Sequence, residues 1–293
     1  MKYSIPVILL TSLLFNSCAT FFSAINYSPS QKVKEITFSD EPASGKYEFY
    51  YSDTTGNTYL RTLRQDYRLD SLVAGQQDEI EKIKLVLHWS SSQWEHNGSN
   101  NPSSSDALTI LEEAKEGKQF RCVEYGIVAA SGLNAIGIPS RPLNVKTRDV
   151  EKVKLGAGHV VTETYSKQLG KWLFIDPQFD IMPTLNGSPL NAVEFQQAIR
   201  DKKEILLVNA DGPIDNEFAE KYLQWIGKYL YFLDITFDQR AGTELEAKTF
   251  EGKTKLMLVP VGVENPNVFQ RKHILDYCLY THNLNDFYQV PNE

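Results

Sequence analysis

The sequence predicts an α+β fold built as one main domain, and three observations carry that expectation. Apolar residues recur at helical spacing in segments between residues 77 and 134. Strand-like runs then follow at 141–146, 158–165 and 171–176. The last two runs are joined by a short turn, which makes them an antiparallel pair; grouped helices followed by grouped strands suit an α+β architecture. The 293 residues suffice for a large core, and the composition, 42% hydrophobic and 23% charged, is ordinary for a globular protein. Formal net charge is −7 with no basic stripe, which argues against nucleic acid as a partner.

In chain order, Lys2 precedes an apolar run from Ile5 to Phe15 that is too short to span a bilayer as a mature helix, so residues 1–17 read as a signal peptide. The run ends in Leu14-Phe-Asn-Ser-Cys18, followed by Ala19, which resembles a bacterial lipobox. Cys18 is then the lipidation site, and the chain is expected to be an exported, membrane-anchored lipoprotein on a periplasmic or cell-surface face. Residues 18–45 hold Ser, Thr, Pro and scattered charge and read as a lipidated tether. Residues 46–51 and 58–63, flanking Asp53-Thr-Thr-Gly-Asn57, read as a hairpin. A helix is expected from Gln77 to about Trp94, with Ile80, Ile83, Leu87 and Trp94 near one face, and a second from Asp106 to Lys115. The third, Cys122 to about Asn134, contains Gly126 and Gly132. Both cost helix stability and so point to close backbone packing; Gly137 and Pro139 end the helix.

Beyond the three strands, Asn191-Ala-Val-Glu194 resembles a capping box opening a helix. Residues 217–232 read as a helix rich in aromatics, and 234–237 and 255–261 as strands. The expected organisation is a catalytic core over 46–185 with a C-terminal α/β elaboration, 186–293, packed on it.

Cys122, His159 and Asp176 supply a thiol, an imidazole and a carboxylate in that order: a nucleophile, a base and a group to orient the base. Cys122 falls at a predicted helix start, where unpaired backbone N–H groups favour a thiolate and can serve as oxyanion donors. If Tyr165 pairs with Gly170 around a four-residue loop, His159 stands opposite Asp176 on one face, whereas a one-residue slip would separate them. Each residue also has a plain structural reading: a small core position, a strand-edge histidine, an Asp-Pro turn. Cys278 lies in an apolar stretch and reads as a buried, inert thiol, although a bridge to Cys122 stays open. His88, His96, His273 and His282 show no metal-ligand spacing, and neither metal nor cofactor is expected.

Together the pattern resembles the transglutaminase-like superfamily, whose core is papain-like. The matching elements are Cys122, Gly137-Ile-Pro-Ser-Arg141, His159 through Glu163, and Trp172-Leu-Phe-Ile-Asp176-Pro177, all within about residues 75–180. The resemblance implies a Cys-bearing helix packed on an antiparallel sheet that carries His and Asp. It also implies Cys122 as nucleophile, His159 as general base and acid, and Asp176 as orienter. An upstream Trp often assists the oxyanion in this superfamily, which makes Trp94 and Trp89 candidates that spacing does not separate, with core packing the favoured reading for Trp89. Val161 and Gln178 stand where relatives often carry an aromatic and a Thr, so Gln178 becomes a pocket-wall candidate. Arg141 is expected to pair with a carboxylate in support of the fold. The implied activity is a cysteine-dependent hydrolase or acyltransferase acting on peptide or protein amides through a thioester. The competing reading is a catalytically degenerate binding module at the cell surface; a zinc site from the same three residues is the weakest.

Overall fold

The computed structural model describes residues 36–242 and 246–291. The expected signal peptide, Cys18 and the tether as far as residue 35 lie outside the described residues. The last part of the segment read as tether does not hang free. Ile36 is buried in an apolar cluster with Tyr231, Met257 and Leu275. The Ser39 N–H donates to the His282 carbonyl and the Leu284 N–H to the Ser39 carbonyl, both at 2.8 Å. A reading from composition weighs the Ser and Thr of this segment, not the two or three apolar side chains that fasten it.

The expected hairpin at 46–63 is not formed. Thr58–Leu63 instead opens helix α1 (Thr58–Asp66). The Asn57 side chain accepts the Leu60 N–H at 3.1 Å, an N-cap, and Leu60 and Leu63 bury one helical face. Over so short a run, period alone cannot separate helix from strand, and here the cap decides. Helices α2 (Leu69–Leu72), α3 (Glu79–Ser91), α4 (Ala107–Lys115) and α5 (Cys122–Ala135) follow. Asp78 and Asp106 cap α3 and α4 through their side chains. Gly137 ends α5 in the left-handed region, at φ 88°, and lets the Ile138 N–H reach back to the Leu133 carbonyl at 3.0 Å.

Strands β1 (Ser140–Lys146), β2 (Gly158–Ser166) and β3 (Lys171–Ile175) form the expected antiparallel meander. The chain then builds β4 (Met182–Leu185), β5 (Ser188–Pro189), α6 (Ala192–Arg200), β6 (Ile205–Asn209) and β7 (Gly212–Pro213). The four strands make a second sheet, in the order β5-β4-β6-β7. Asn191 caps α6 and Glu194 returns a bond to the Asn191 N–H, as the capping box predicts. The aromatic helix α7 (Asn216–Ile226) is shorter than expected, because Gly227 caps it and Phe232 opens strand β8 (Phe232–Thr236). The remaining elements are β9 (Lys255–Leu258), the small hairpin β10 (Val268–Phe269) and β11 (His273–Ile274), β12 (Cys278–Thr281) and α8 (Leu284–Phe287).

The region beyond residue 185 does more than pack on a finished core. The main sheet runs β12-β9-β8-β1-β2-β3, so three of its six strands come from that region. Helix α5 lies against this sheet with almost no clearance. A Cβ added at Gly126 would sit 2.9 Å from Val160 Cγ1 and 3.3 Å from the Val161 carbonyl, and Thr162 Oγ1 donates to the Gly126 carbonyl. A Cβ at Gly132 would sit 2.9 Å from Trp89 Cζ3 on α3. The two glycines are what allow the Cys-bearing helix to seat between α3 and β2, and Trp89 is indeed core packing.

Candidate active site

Cys122 is the first residue of α5, and it is half-buried. The first N–H groups of a helix have no intrahelical partner, so they point past Cys122 with a partial positive charge. The helix start is held by Glu124, which is buried. Its carboxylate accepts the Arg121 N–H at 3.0 Å and the Arg121 guanidinium at 2.6 Å. Arg121 also lies close enough for its charge to be stabilised by Cys122, after the larger effect of Glu124.

His159 is the second residue of β2 and is buried. Its Nε2 stands 2.8 Å from Asp176 Oδ2. A hydrogen bond with Cys122 also holds its charged form, and Nδ1 is the ring nitrogen left for it. Burial opposes the imidazolium, but the Asp176 charge and hydrogen bond, then Cys122, outweigh it and raise His159 to about 10. The three residues singled out in the sequence therefore meet.

They meet by a register other than the expected one. Tyr165 pairs with Trp172 and Ser166 with Lys171, so the ladder, continued, sets Asp176 opposite Val161 and not His159. The shift is two residues, which preserves side-chain parity, and the carboxylate still reaches the ring from the diagonal position.

Asp176 is fully buried and carries three hydrogen bonds. Oδ2 also accepts the Tyr222 hydroxyl at 2.8 Å, and Oδ1 accepts the Gln178 N–H at 3.1 Å. Gln178 thus contributes through its backbone. Burial, with Asp176 adding to it, holds the Tyr222 phenol well above its ordinary value, so it stays a donor. Around the ring, Trp225 lies edge-on to His159 at 4.9 Å between centroids, with Phe179 at 6.1 Å and Tyr229 at 6.2 Å. Burial pushes the Tyr229 phenol up to about 12, and the charge on Cys122 adds to this, placing Tyr229 beside the thiol. Tyr222, Trp225 and Tyr229 are the functional neighbours that sequence reasoning missed. Their signal was present: Phe218, Tyr222, Trp225 and Tyr229 recur at spacings of four, three and four, one face of the aromatic helix and the turn after it.

Trp94 packs on Tyr125 at 4.4 Å and Phe120 at 5.6 Å between ring centroids, at the N-terminal end of α5. Its Nε1 is buried and has no hydrogen-bond partner among the described residues. His96, from the loop read as surface, borders the site: burial lowers its pKa, and the charge of His159 lowers it further. Cys122 and Cys278 are both free, which closes the question of a bridge between them; Cys278 is buried. Arg141 is fully buried and pairs with Glu163 at 2.9 Å, the supporting role expected of it.

Tyr222→Phe tests the added contact to Asp176. Losing one hydrogen bond to a buried carboxylate costs about 1.5–3 kcal/mol, read as a lower melting temperature. The expected companion effect is an about tenfold slower alkylation of Cys122 at pH 6–7, because Asp176 holds His159 less firmly. A stability loss with an unchanged alkylation profile would make Tyr222 a packing residue only.

Residues 67–177 match the family model of the transglutaminase-like superfamily. No curated protein matches the chain. Among solved structures, the chain is similar to a candidate cysteine protease from Cytophaga hutchinsonii, at 14% identity over 43% of this chain and 40% of that one, with a TM-score of 0.34. It is similar to the periplasmic domain of TgpA from Pseudomonas aeruginosa, at 16% identity over 44% of this chain and 51% of that one, with a TM-score of 0.32. It is also similar to the red sea bream transglutaminase, at 14% identity over 58% of this chain and 30% of that one, with a TM-score of 0.31. The chain thus spans about a third to a half of the length of these proteins. The stretch 67–177, which holds Cys122, His159 and Asp176, belongs to the transglutaminase-like superfamily.

Proposed function

We propose that this chain is a cysteine-dependent acyl-transfer enzyme acting on peptide or protein amides, exported and held at a membrane by lipid on Cys18. The observation that supports it most is the buried His159 imidazole, bonded on one side to Asp176 and on the other to Cys122 at a helix start. In this reading the Cys122 thiolate attacks the amide carbonyl carbon, and the carbonyl π electrons move to oxygen. The first-turn amides of α5 receive that oxyanion, with Trp94 Nε1, a buried donor without a partner among the described residues, as the second donor. His159 then gives its proton to the leaving amine as the C–N bond breaks, leaving a thioester on Cys122. Water, deprotonated by His159, resolves the thioester to an acid; a second amine resolves it to a new amide. Trp225, Phe179 and Tyr229 cover the ring and keep bulk water from the His159–Asp176 bond.

The test is incubation of a denatured protein substrate with a fluorescent primary amine, using wild type and Cys122→Ala. Cleavage fragments or amine incorporation present only with wild type support the reading, and their ratio separates hydrolysis from transamidation. A substrate turned over equally by both proteins would remove Cys122 from the mechanism. For the anchor, labelled palmitate is expected to enter the wild-type protein in bacteria and to be lost in Cys18→Ala.

A further inference from the structure

The loop that leads into His159 and the hairpin β10–β11 form one zipped unit. The Gln270 N–H donates to the Val150 carbonyl at 2.8 Å, and Glu151 Oε1 accepts the Asn267 and Val268 N–H groups at 2.8 and 3.2 Å. Phe269 closes over Gly158, where an added Cβ would sit 2.9 Å from its ring. Because Phe269 turns inward, its strand neighbour Val268 and the cross-strand partner Ile274 face outward.

Two large aliphatic side chains on this unit are presented to solvent: Leu155 is 84% exposed and Ile274 is 66% exposed. Five exposed cations lie in the same two segments, Arg148, Lys152 and Lys154 on the loop and Arg271 and Lys272 on the hairpin. Against them stand two carboxylates within the same segments. Glu151 is committed to backbone amides, and Asp149 accepts the Thr147 hydroxyl at 2.7 Å. The unit is therefore locally basic on a chain whose net charge is −7.

We infer that this loop and hairpin form a docking surface for an anionic lipid membrane, separate from any lipid on Cys18 and independent of the proposed chemistry. Charge and shape both select that occupant. A basic unit on an acidic chain is drawn to a negative surface while the rest of the chain is repelled, which orients the molecule. Apolar side chains flanked by Lys and Arg suit the headgroup boundary, where the aliphatic tip enters and the long cationic side chains reach up to the phosphates. A peptide partner would call for a concave site or a long free strand edge. Here the apolar groups are projecting tips, and the strands of the hairpin are two residues each. Docking by this unit would set the bilayer surface beside the loop that runs into β2, whose second residue is His159.

The test uses the full chain carrying Leu155→Trp, with wild type as the blank for the native tryptophans. The apolar residues 5–15 can bring the chain to a vesicle on their own, so the readout is local to residue 155. Vesicles of phosphatidylcholine with brominated phosphatidylglycerol are expected to blue-shift and quench the added emission, while vesicles of brominated phosphatidylcholine alone leave it unchanged. Adding Lys152→Gln and Lys154→Gln is expected to weaken partitioning by about 25-fold, about fivefold per lysine, at low ionic strength. Ile274→Trp provides an independent second probe and is expected to respond in the same way. Unchanged emission from both probes with anionic vesicles overturns the proposal, as does equal quenching by neutral ones. A shift produced by polyglutamate and not by vesicles would also overturn it, and would make the surface a polypeptide site.

Discussion

Alkylation of Cys122 at pH 6 is expected to be roughly 10²-fold slower in His159→Ala than in the wild type. An unassisted thiol is only about 0.3% thiolate at that pH. In the wild type, His159 is held at about 10, so the ring is cationic across the neutral range and stands beside Cys122 as a positive charge. The direction follows from the sign of the shift. The charged ring is complete well below its raised value and is lost only as pH climbs through about 10. The wild-type advantage over the variant should therefore hold across the neutral range and fade as pH climbs through about 10, whereas the variant should gain about tenfold per pH unit until its own thiol ionises. A stabilised thiolate is a weaker nucleophile than a free one, which trims the difference but does not erase it. Asp176→Asn should fall between the two, because the ring loses the charge that most favours its protonation but keeps a hydrogen-bonding neighbour. Turnover of an amide should suffer more, by roughly 10⁴-fold or more, since His159 would also have to protonate the leaving amine. Mass spectrometry of the Cys122 peptide across pH reads the first effect directly. Coincident profiles for wild type and His159→Ala would mean that the ring does not act on the thiol, and the enzyme reading would lose its central support.

The parts of this site legible in the sequence were those fixed by local chemistry. Asp106 and Asn191 stand at helix starts read from the sequence and cap them through their side chains, and Gly137 announces an end through its left-handed backbone. The period-two parity of β2 and β3 set His159 and Asp176 on one face, and the resemblance to the transglutaminase-like superfamily joined Cys122 to them. The register was misread because Gly170, at φ 65°, belongs to the turn and not to the strand. Parity survived because the resulting error was two residues. What stayed hidden is non-local. The spacing of Tyr222, Trp225 and Tyr229 defines an aromatic face but not what it covers; only the fold shows that it covers His159 and Asp176. Likewise, nothing in Phe232–Thr236 states that it will pair with β1 and make the C-terminal region part of the same sheet. Residues 36–42 are fastened by backbone bonds to residues more than two hundred positions away, which composition cannot register.

Arg141→Ala is expected to be the most damaging substitution outside the site, lowering stability by about 3–5 kcal/mol. The guanidinium is fully buried. It pairs with Glu163 at 2.9 Å, lies 3.9 Å over the Trp172 ring and donates to the Phe287 carbonyl at 3.3 Å. It therefore ties β1 to β2, β3 and the C-terminal α8 at once. Removing it strands the Glu163 carboxylate in the interior, and desolvation without a counter-charge is the dominant cost. For a domain of this size the loss corresponds to a fall in melting temperature of roughly 6–20 °C. Arg141→Met with Glu163→Gln separates the charge from the packing. Met refills the apolar space over Trp172. Gln keeps an acceptor for the Tyr288 hydroxyl and the Ala192 N–H, which Glu163 Oε1 serves at 3.0 and 3.3 Å. The double variant should recover most of the loss, because a buried ion pair replaced as a whole is far less costly than one broken in half. Cys122 alkylation in the folded double variant should match wild type, since none of the contacts of Arg141 reaches Cys122, His159 or Asp176. A double variant as unstable as Arg141→Ala would assign the role of Arg141 to its shape and hydrogen bonds to the C-terminal segment. A stable double variant with altered Cys122 reactivity would instead tie the Arg141–Glu163 pair to the geometry of the site.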